Sequence, residues 1–206
     1  MMRDRDVRSE LHQWLAETHK GETDTRILDE LGLRHGIRRV DVAVVNGSLH
    51  GYEIKSDSDT VDRLRGQVEA YASVLDYATL VVGKKLVTKA KKRIPKWWGL
   101  KVAVEVEAGR TVLIDDRQPS KNPNIDPIAL AELLWRPEAV EILLSLGAPP
   151  RLVRSPRAIL YSEIAAMLEL NELRDVVRSR LKMRTGWRDR TQPSLCDGSS
   201  QPIPKC

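Results

Sequence analysis

Three charged side chains interrupt two otherwise apolar stretches. Asp41 lies within Arg39–Val45, and Glu53 and Lys55 lie within Leu49–Lys55. Glu53 and Lys55 are two residues apart, so on a strand they leave the same face. Unpaired charges are costly to bury, so such residues need partners or a metal. Two carboxylates can hold a hard divalent cation through oxygen, as Mg²⁺ prefers. A lysine beside them can orient or deprotonate a water and offset charge building on a phosphate.

The elements that must position this set follow from the pattern around it. Arg39–Val45 is rich in valine and reads as a strand. Asn46-Gly47 is a hairpin signal, and Leu49–Lys55 is the return strand. A helix follows, with Val61, Leu64, Val68, Tyr71, Ala72 and Leu75 on one stripe. Asp57 and Asp59 read as its caps. Ala78–Val82 is a short apolar run ended by Gly83 and reads as a buried strand. Leu100–Val106 and Thr111–Ile114 read as a pair across Ala108-Gly109. Upstream, Val7–His19 is an amphipathic helix, while Ile27–Leu33 fits a short strand or a turn of helix.

Register decides whether the carboxylates can meet. A two-residue turn at Asn46-Gly47 would put Asp41 and Glu53 on opposite faces. A shared site requires one extra residue in the hairpin. Either a three-residue loop, Asn46 to Ser48, or a bulge at Gly51 would supply it. The three-residue loop places Asp41 opposite Glu53.

Asp41, then Glu53-Ile54-Lys55 on a hairpin followed by a helix and a buried strand, resembles the PD-(D/E)XK nuclease superfamily. Val40 stands where the nominal proline would be. The resemblance implies that Asp41, Glu53 and the backbone carbonyl of Ile54 bind Mg²⁺, with Mn²⁺ as a substitute. It also implies catalytic roles for Asp41, Glu53 and Lys55. Gln67 and Tyr71 are four apart on the next helix and resemble the Gln-x-x-x-Tyr pair of the RecB-like branch, which implies help in holding substrate. Plain core packing is the alternative for Tyr71. The stretch from Ile27 to Gly99 is similar to a bacterial family of this superfamily with a His-Gly-Tyr-Glu-Ile-Lys-Ser-Asp core, here His50 to Asp57, and a Trp-Trp-Gly, here Trp97 to Gly99. That family brings no established substrate.

A fourth acidic residue often joins such sites, and Glu10 and Glu30 are the candidates. His50 falls on the strand face opposite Glu53 and reads as structural. Trp97-Trp98 reads as core or sheet edge ahead of base stacking.

After Gln118 the texture changes. Pro119–Asn124 looks like a linker, and Asp126-Pro127 is a helix start. Helices are expected near Ile128–Trp135, Glu138–Leu146, Arg157–Leu168 and Glu172–Met183. The last two could form a helix-turn-helix, but their turn lacks the usual glycine. A packing subdomain with a phosphate-contacting basic face is the preferred reading.

Composition sets the partners. Net charge is +5 and the pI about 9.3, which favours polyanions. Lys84–Lys101 carries eight basic residues and no acidic one, and Arg174–Arg190 carries seven. The two cysteines, Cys196 and Cys206, fit neither a zinc spacing nor a disulfide scaffold. No apolar leader opens the sequence and no run is long enough to span a bilayer, so the cytoplasm is the default compartment.

The sequence therefore predicts an α/β fold with a mixed central sheet flanked by helices. Residues 1–118 would form a restriction-endonuclease-like core, 119–188 an α-helical extension and 189–206 a disordered tail. The expected activity is Mg²⁺-dependent hydrolysis of nucleic-acid phosphodiesters, DNA ahead of RNA. Water would attack phosphorus, and Lys55 would position it. The alternatives are an inert nucleic-acid-binding protein on the same fold, or an interaction module of a bacterial defence or mobile-element system.

Overall fold

Strands rich in valine and helices with apolar stripes assemble here into one sheet covered on both faces. The computed structural model describes residues 2–184. The elements run α1 (Asp4–Thr18), β1 (Arg26–Leu33), β2 (Arg38–Val45), β3 (Leu49–Lys55), α2 (Leu64–Ala72), β4 (Tyr77–Gly83) and α3 (Val87–Lys91). They continue with β5 (Gly99–Glu105), β6 (Thr111–Arg117), α4 (Pro127–Ala131), α5 (Arg136–Ser145), α6 (Arg157–Met167) and α7 (Leu170–Met183). The expected tail, both cysteines, Arg188 and Arg190 lie outside the described residues.

The six strands stand in sequence order, β1 to β6. β1, β2 and β3 are antiparallel, β3, β4 and β5 are parallel, and β6 returns antiparallel to β5. Parallel neighbours need a crossover. α2 supplies the first and α3 lies in the second. The fold is thus α/β, with a mixed six-stranded sheet and seven α-helices among the described residues.

One face of the sheet carries the larger core. Leu28, Val45, Leu80 and Leu100 meet Leu64 and Tyr71 of α2 there, together with Leu130, Leu143, Leu160, Leu173 and Val177 of α4 to α7. The other face is covered by α1. Val7, Leu11 and Leu15, four apart on one helical stripe, pack on Val42, Val44, Ile54 and Val81. The C-terminal helices therefore share the sheet's own core.

Of its two expected forms, strand or turn of helix, Ile27–Leu33 takes the strand, within β1. Other local expectations need correction. Pro119–Asn124 has no helix or strand, yet it is strapped down. Asn122 is buried, its Nδ2 donates to the carbonyls of Ala72 and Leu75 at 2.8 Å, and its backbone N–H donates to the Asp76 carbonyl at 2.8 Å. Asp57 and Asp59 do not cap α2, which begins at Leu64 with no side-chain cap. Asp59 instead accepts from the Ser56 backbone N–H and hydroxyl at 2.7 Å. Asp57 accepts the Lys85 N–H at 3.2 Å, after the end of β4. Gly83 lets it approach, because a Cβ there would lie 2.9 Å from the Asp57 nitrogen. No described helix is long and apolar enough to cross a membrane.

Candidate active site

The hairpin between β2 and β3 sets the site. Val45 pairs with Leu49 and Val42 with Tyr52, leaving the three-residue loop Asn46 to Ser48. The Asn46 side chain closes it by accepting the Ser48 N–H at 3.0 Å. The pairing ends at Val42–Tyr52, one residue short of Asp41 and Glu53. No bulge at Gly51 is needed. Gly51 pairs regularly with Ala43, and its lack of a side chain makes room for Leu75 and for Val40, which a Cβ would meet at 2.9 Å.

Glu53 is fully buried. Burying a carboxylate is costly unless hydrogen-bond donors replace the lost water. Three do so. Lys55 Nζ and Gln67 Nε2 donate to Oε1, and the Tyr71 hydroxyl donates to Oε2. Tyr71 and Gln67 come from successive turns of α2, so one helix face grips the carboxylate. The Tyr71 hydroxyl also lies 3.1 Å from the Arg39 carbonyl oxygen, and its ring stacks on Trp98 at 5.3 Å. Burial, then the charge of Glu53, pushes the Tyr71 phenol well up. Tyr71 is shut off from solvent. Tyr71 thus packs in the core, as its alternative reading has it, and meets the candidate site through Glu53. Trp98 is wholly buried, as its core reading requires.

Asp41 is held differently. Its Oδ2 accepts the backbone N–H of Ile54 at 2.8 Å. Burial, then the nearby charge of Glu53, raises its acid to about 7, against the opposing pull of the Ile54 N–H, Arg8 and Lys55. Two carboxylates are thus close enough to repel each other beneath one lysine. Arg8 of α1, which sequence reasoning missed, donates to the Asp41 carbonyl at 3.1 Å. Of the fourth-acid candidates, Glu30 joins this cluster through Arg8 at 3.6 Å and Arg39 at 3.3 Å. Glu10 is half-buried on α1. Among the described residues no group of three or more histidine, cysteine, aspartate or glutamate side chains is arranged to hold a metal.

His50 points to the α1 side of the sheet. It lies 2.9 Å from the Thr79 hydroxyl and stacks on Tyr52. Burial, then the charges of His19 and Lys101, pushes it down to about 3, so it stays neutral and structural.

The two basic stretches part company in three dimensions. On α7, Arg174 and Arg178 face the buried Asp76, Arg180 pairs with Glu141 and Lys182 with Asp24. Arg184, just beyond, pairs with Glu138. These α7 cations are engaged in ion pairs within the chain, with Asp76 just before β4, Asp24 just before β1 and Glu141 on α5. In the earlier stretch, Lys101 is buried against Asp115 and the Trp14 ring. Lys91 and Arg93 pair with Asp116 and Asp62. Lys84, Lys85, Lys89, Lys92 and Lys96 are exposed and make no ion pair with any described residue. Lys84 and Lys85 directly follow β4, the parallel neighbour of β3, at the strand end where Lys55 lies.

Comparison with known proteins matches residues 1–192 to the family model of bacteriophage P4 protein cII, and the chain belongs to that family. Protein cII of Enterobacteria phage P4 is 36% identical over 95 residues, which cover 46% of this chain and 35% of that protein. The match thus spans about a third of the relative's length. No solved structure matches.

Proposed function

We propose that this member of the P4 cII family is a metal-dependent nuclease with a PD-(D/E)XK-type core, acting on nucleic-acid phosphodiesters, DNA ahead of RNA. The observation that carries the reading is Glu53: a fully buried carboxylate in a strand, gripped by Lys55, Gln67 and Tyr71, with Asp41 across the hairpin. Core packing alone would be served better by an apolar residue. Four polar groups spent on one strand position favour chemistry.

The donor set suits a hard cation. Two mutually repelling carboxylates gain from a positive charge between them, and Gln67 Oε1 is buried with no hydrogen-bond partner among the described residues. Asp41, Glu53 and the Ile54 carbonyl would hold Mg²⁺, with Mn²⁺ as substitute, and the ion would supply Lewis-acid polarisation of a phosphate. The chain's own work is then clear. Tyr71 and Gln67 fix Glu53. Lys55 orients a water or offsets charge on the phosphate. The five exposed lysines from Lys84 to Lys96 attract the polyanion.

A second reading has its own support. Both oxygens of Glu53 are already engaged by the chain's donors, which suits an inert nucleic-acid-binding protein on the same fold. Incubating the full chain with labelled DNA and RNA in Mg²⁺, Mn²⁺ or EDTA separates the two. Cleavage that EDTA abolishes supports the nuclease. Binding without cleavage in either metal supports the inert protein.

A further inference from the structure

Asp41 stands where its strand has lost both neighbours. The ladder between β1 and β2 runs from Arg26–Val45 to Asp29–Val42 and resumes at Leu31–Val40, leaving out Glu30 and Asp41. Glu30 has φ +55°, a left-handed conformation that a side-chain-bearing residue adopts only when its surroundings impose it. On the other side, the ladder between β2 and β3 ends at Val42–Tyr52. The alternation of faces also breaks here. Ala43 and Val45 face the large core and Val42 faces α1, yet Val40 faces the large core again. A carboxylate at such a break needs holds other than the sheet.

Two holds are present. One is the Ile54 N–H on Oδ2. The other is Arg8. Its Nη1 donates to the Asp41 carbonyl at 3.1 Å, and its Nη2 lies 3.6 Å from Asp41 Oδ1 and 3.6 Å from Glu30 Oε1. The same guanidinium reaches Asp29 at 3.9 Å and Asp4 at 3.4 Å. It sits one residue from Val7, which is buried under the sheet, so α1 anchors its base.

We infer that Arg8 is a positioning residue: a two-point clamp that holds the backbone and carboxylate of Asp41 in place of the missing strand pairing. A planar guanidinium can serve a carbonyl with one nitrogen and a carboxylate with the other, whereas an ammonium is a single point of charge. The positive charge also lets Asp29, Glu30 and Asp41 share one end of the sheet. The importance of the clamp for catalysis rests on the nuclease reading above. Its existence does not.

The test uses the full chain and the variants Arg8→Ala and Arg8→Lys, with two readouts. Amide exchange of Ile54 reports the hold on Asp41, since that N–H is bonded to its carboxylate. Exchange should quicken by about tenfold or more in Arg8→Ala while Leu11 on α1 keeps its protection. Mg²⁺-dependent cleavage should lose about tenfold or more in kcat with KM nearly unchanged, because a misplaced group costs rate and spares binding. Arg8→Lys should recover part of both effects. It also serves as the test if Arg8→Ala does not fold, and must then fall short of the wild type in both. Unchanged Ile54 exchange overturns the clamp. Quickened exchange with wild-type kcat overturns its role in catalysis. Quickened exchange in a chain that never cleaves supports the clamp and defeats the nuclease reading alone.

Discussion

The Asp41 carboxylate accepts the Ile54 backbone N–H at 2.8 Å, taking the place a strand carbonyl would fill in a continuous ladder. The candidate site is therefore built at a gap in the sheet. One carboxylate replaces backbone pairing, and the other, Glu53, is locked by side chains from α2.

This geometry makes stability depend on pH. Burial and Glu53 raise the Asp41 acid to about 7, above its unfolded value. The folded chain keeps a proton that the unfolded chain releases. The associated stability is full below about pH 4 and is lost as pH climbs to about 7. Asp41→Asn removes that loss. Its melting temperature relative to wild type should rise between pH 4 and pH 7 and then level off. A difference that shrinks with rising pH would contradict the assignment.

The grip on Glu53 can be weakened one donor at a time. Tyr71→Phe keeps the ring on Trp98 but leaves Glu53 Oε2 without its donor. In a site shut off from water this should cost about 1–3 kcal/mol. Urea unfolding reads it directly. A loss within error would mean that Oε2 finds another partner.

Much of this was legible beforehand, for physical reasons. Side chains alternate along a strand, so a shared site for Asp41 and Glu53 called for one extra hairpin residue, and the hairpin has the three-residue loop Asn46 to Ser48. The apolar stripe that includes Tyr71 marked α2, and the family resemblance singled out Gln67 and Tyr71, both of which meet Glu53. What stayed hidden depends on distant partners. Arg8 meets Asp41 33 residues away, and nothing in α1 marks it among its charged neighbours. Charge counting could not show that the α7 arginines are spent internally, because Arg178 meets Asp76 102 residues away. Asp59 has the right type for a helix cap, but its own turn claims it first, at Ser56.

That buried Asp76 gives a third prediction. It accepts the Leu49 N–H at 2.8 Å and faces Arg174 at 3.1 Å and Arg178 at 3.4 Å. Asp76→Ala removes the buried partner shared by the Leu49 N–H and two mostly buried guanidinium groups, leaving Arg178 with Asp175 and Arg174 with Asn171. The expected cost is about 3–5 kcal/mol by denaturant unfolding. A cost under about 1 kcal/mol would show that the arginines turn out to solvent.

The exposed lysines give a fourth. Replacing Lys84, Lys85 and Lys89 by glutamine should weaken nucleic-acid binding and flatten its dependence on salt by about 2.7 in log–log slope on duplex DNA. Replacing Arg180 and Lys182, already paired with Glu141 and Asp24, should leave that slope unchanged. Equal effects from the two sets would contradict the division of the basic residues drawn above.

The nuclease proposal stands or falls on the Mg²⁺-dependent cleavage rate of Lys55→Ala against wild type, on the same labelled substrate and with both proteins shown folded by melting. Gln67 and Tyr71 still satisfy Glu53 in the variant, so the fold should survive. The wild type should cleave, EDTA should abolish that cleavage, and Lys55→Ala should lose at least about a hundredfold. Cleavage by Lys55→Ala at the wild-type rate, or no cleavage by the wild type in Mg²⁺ or Mn²⁺, would contradict it.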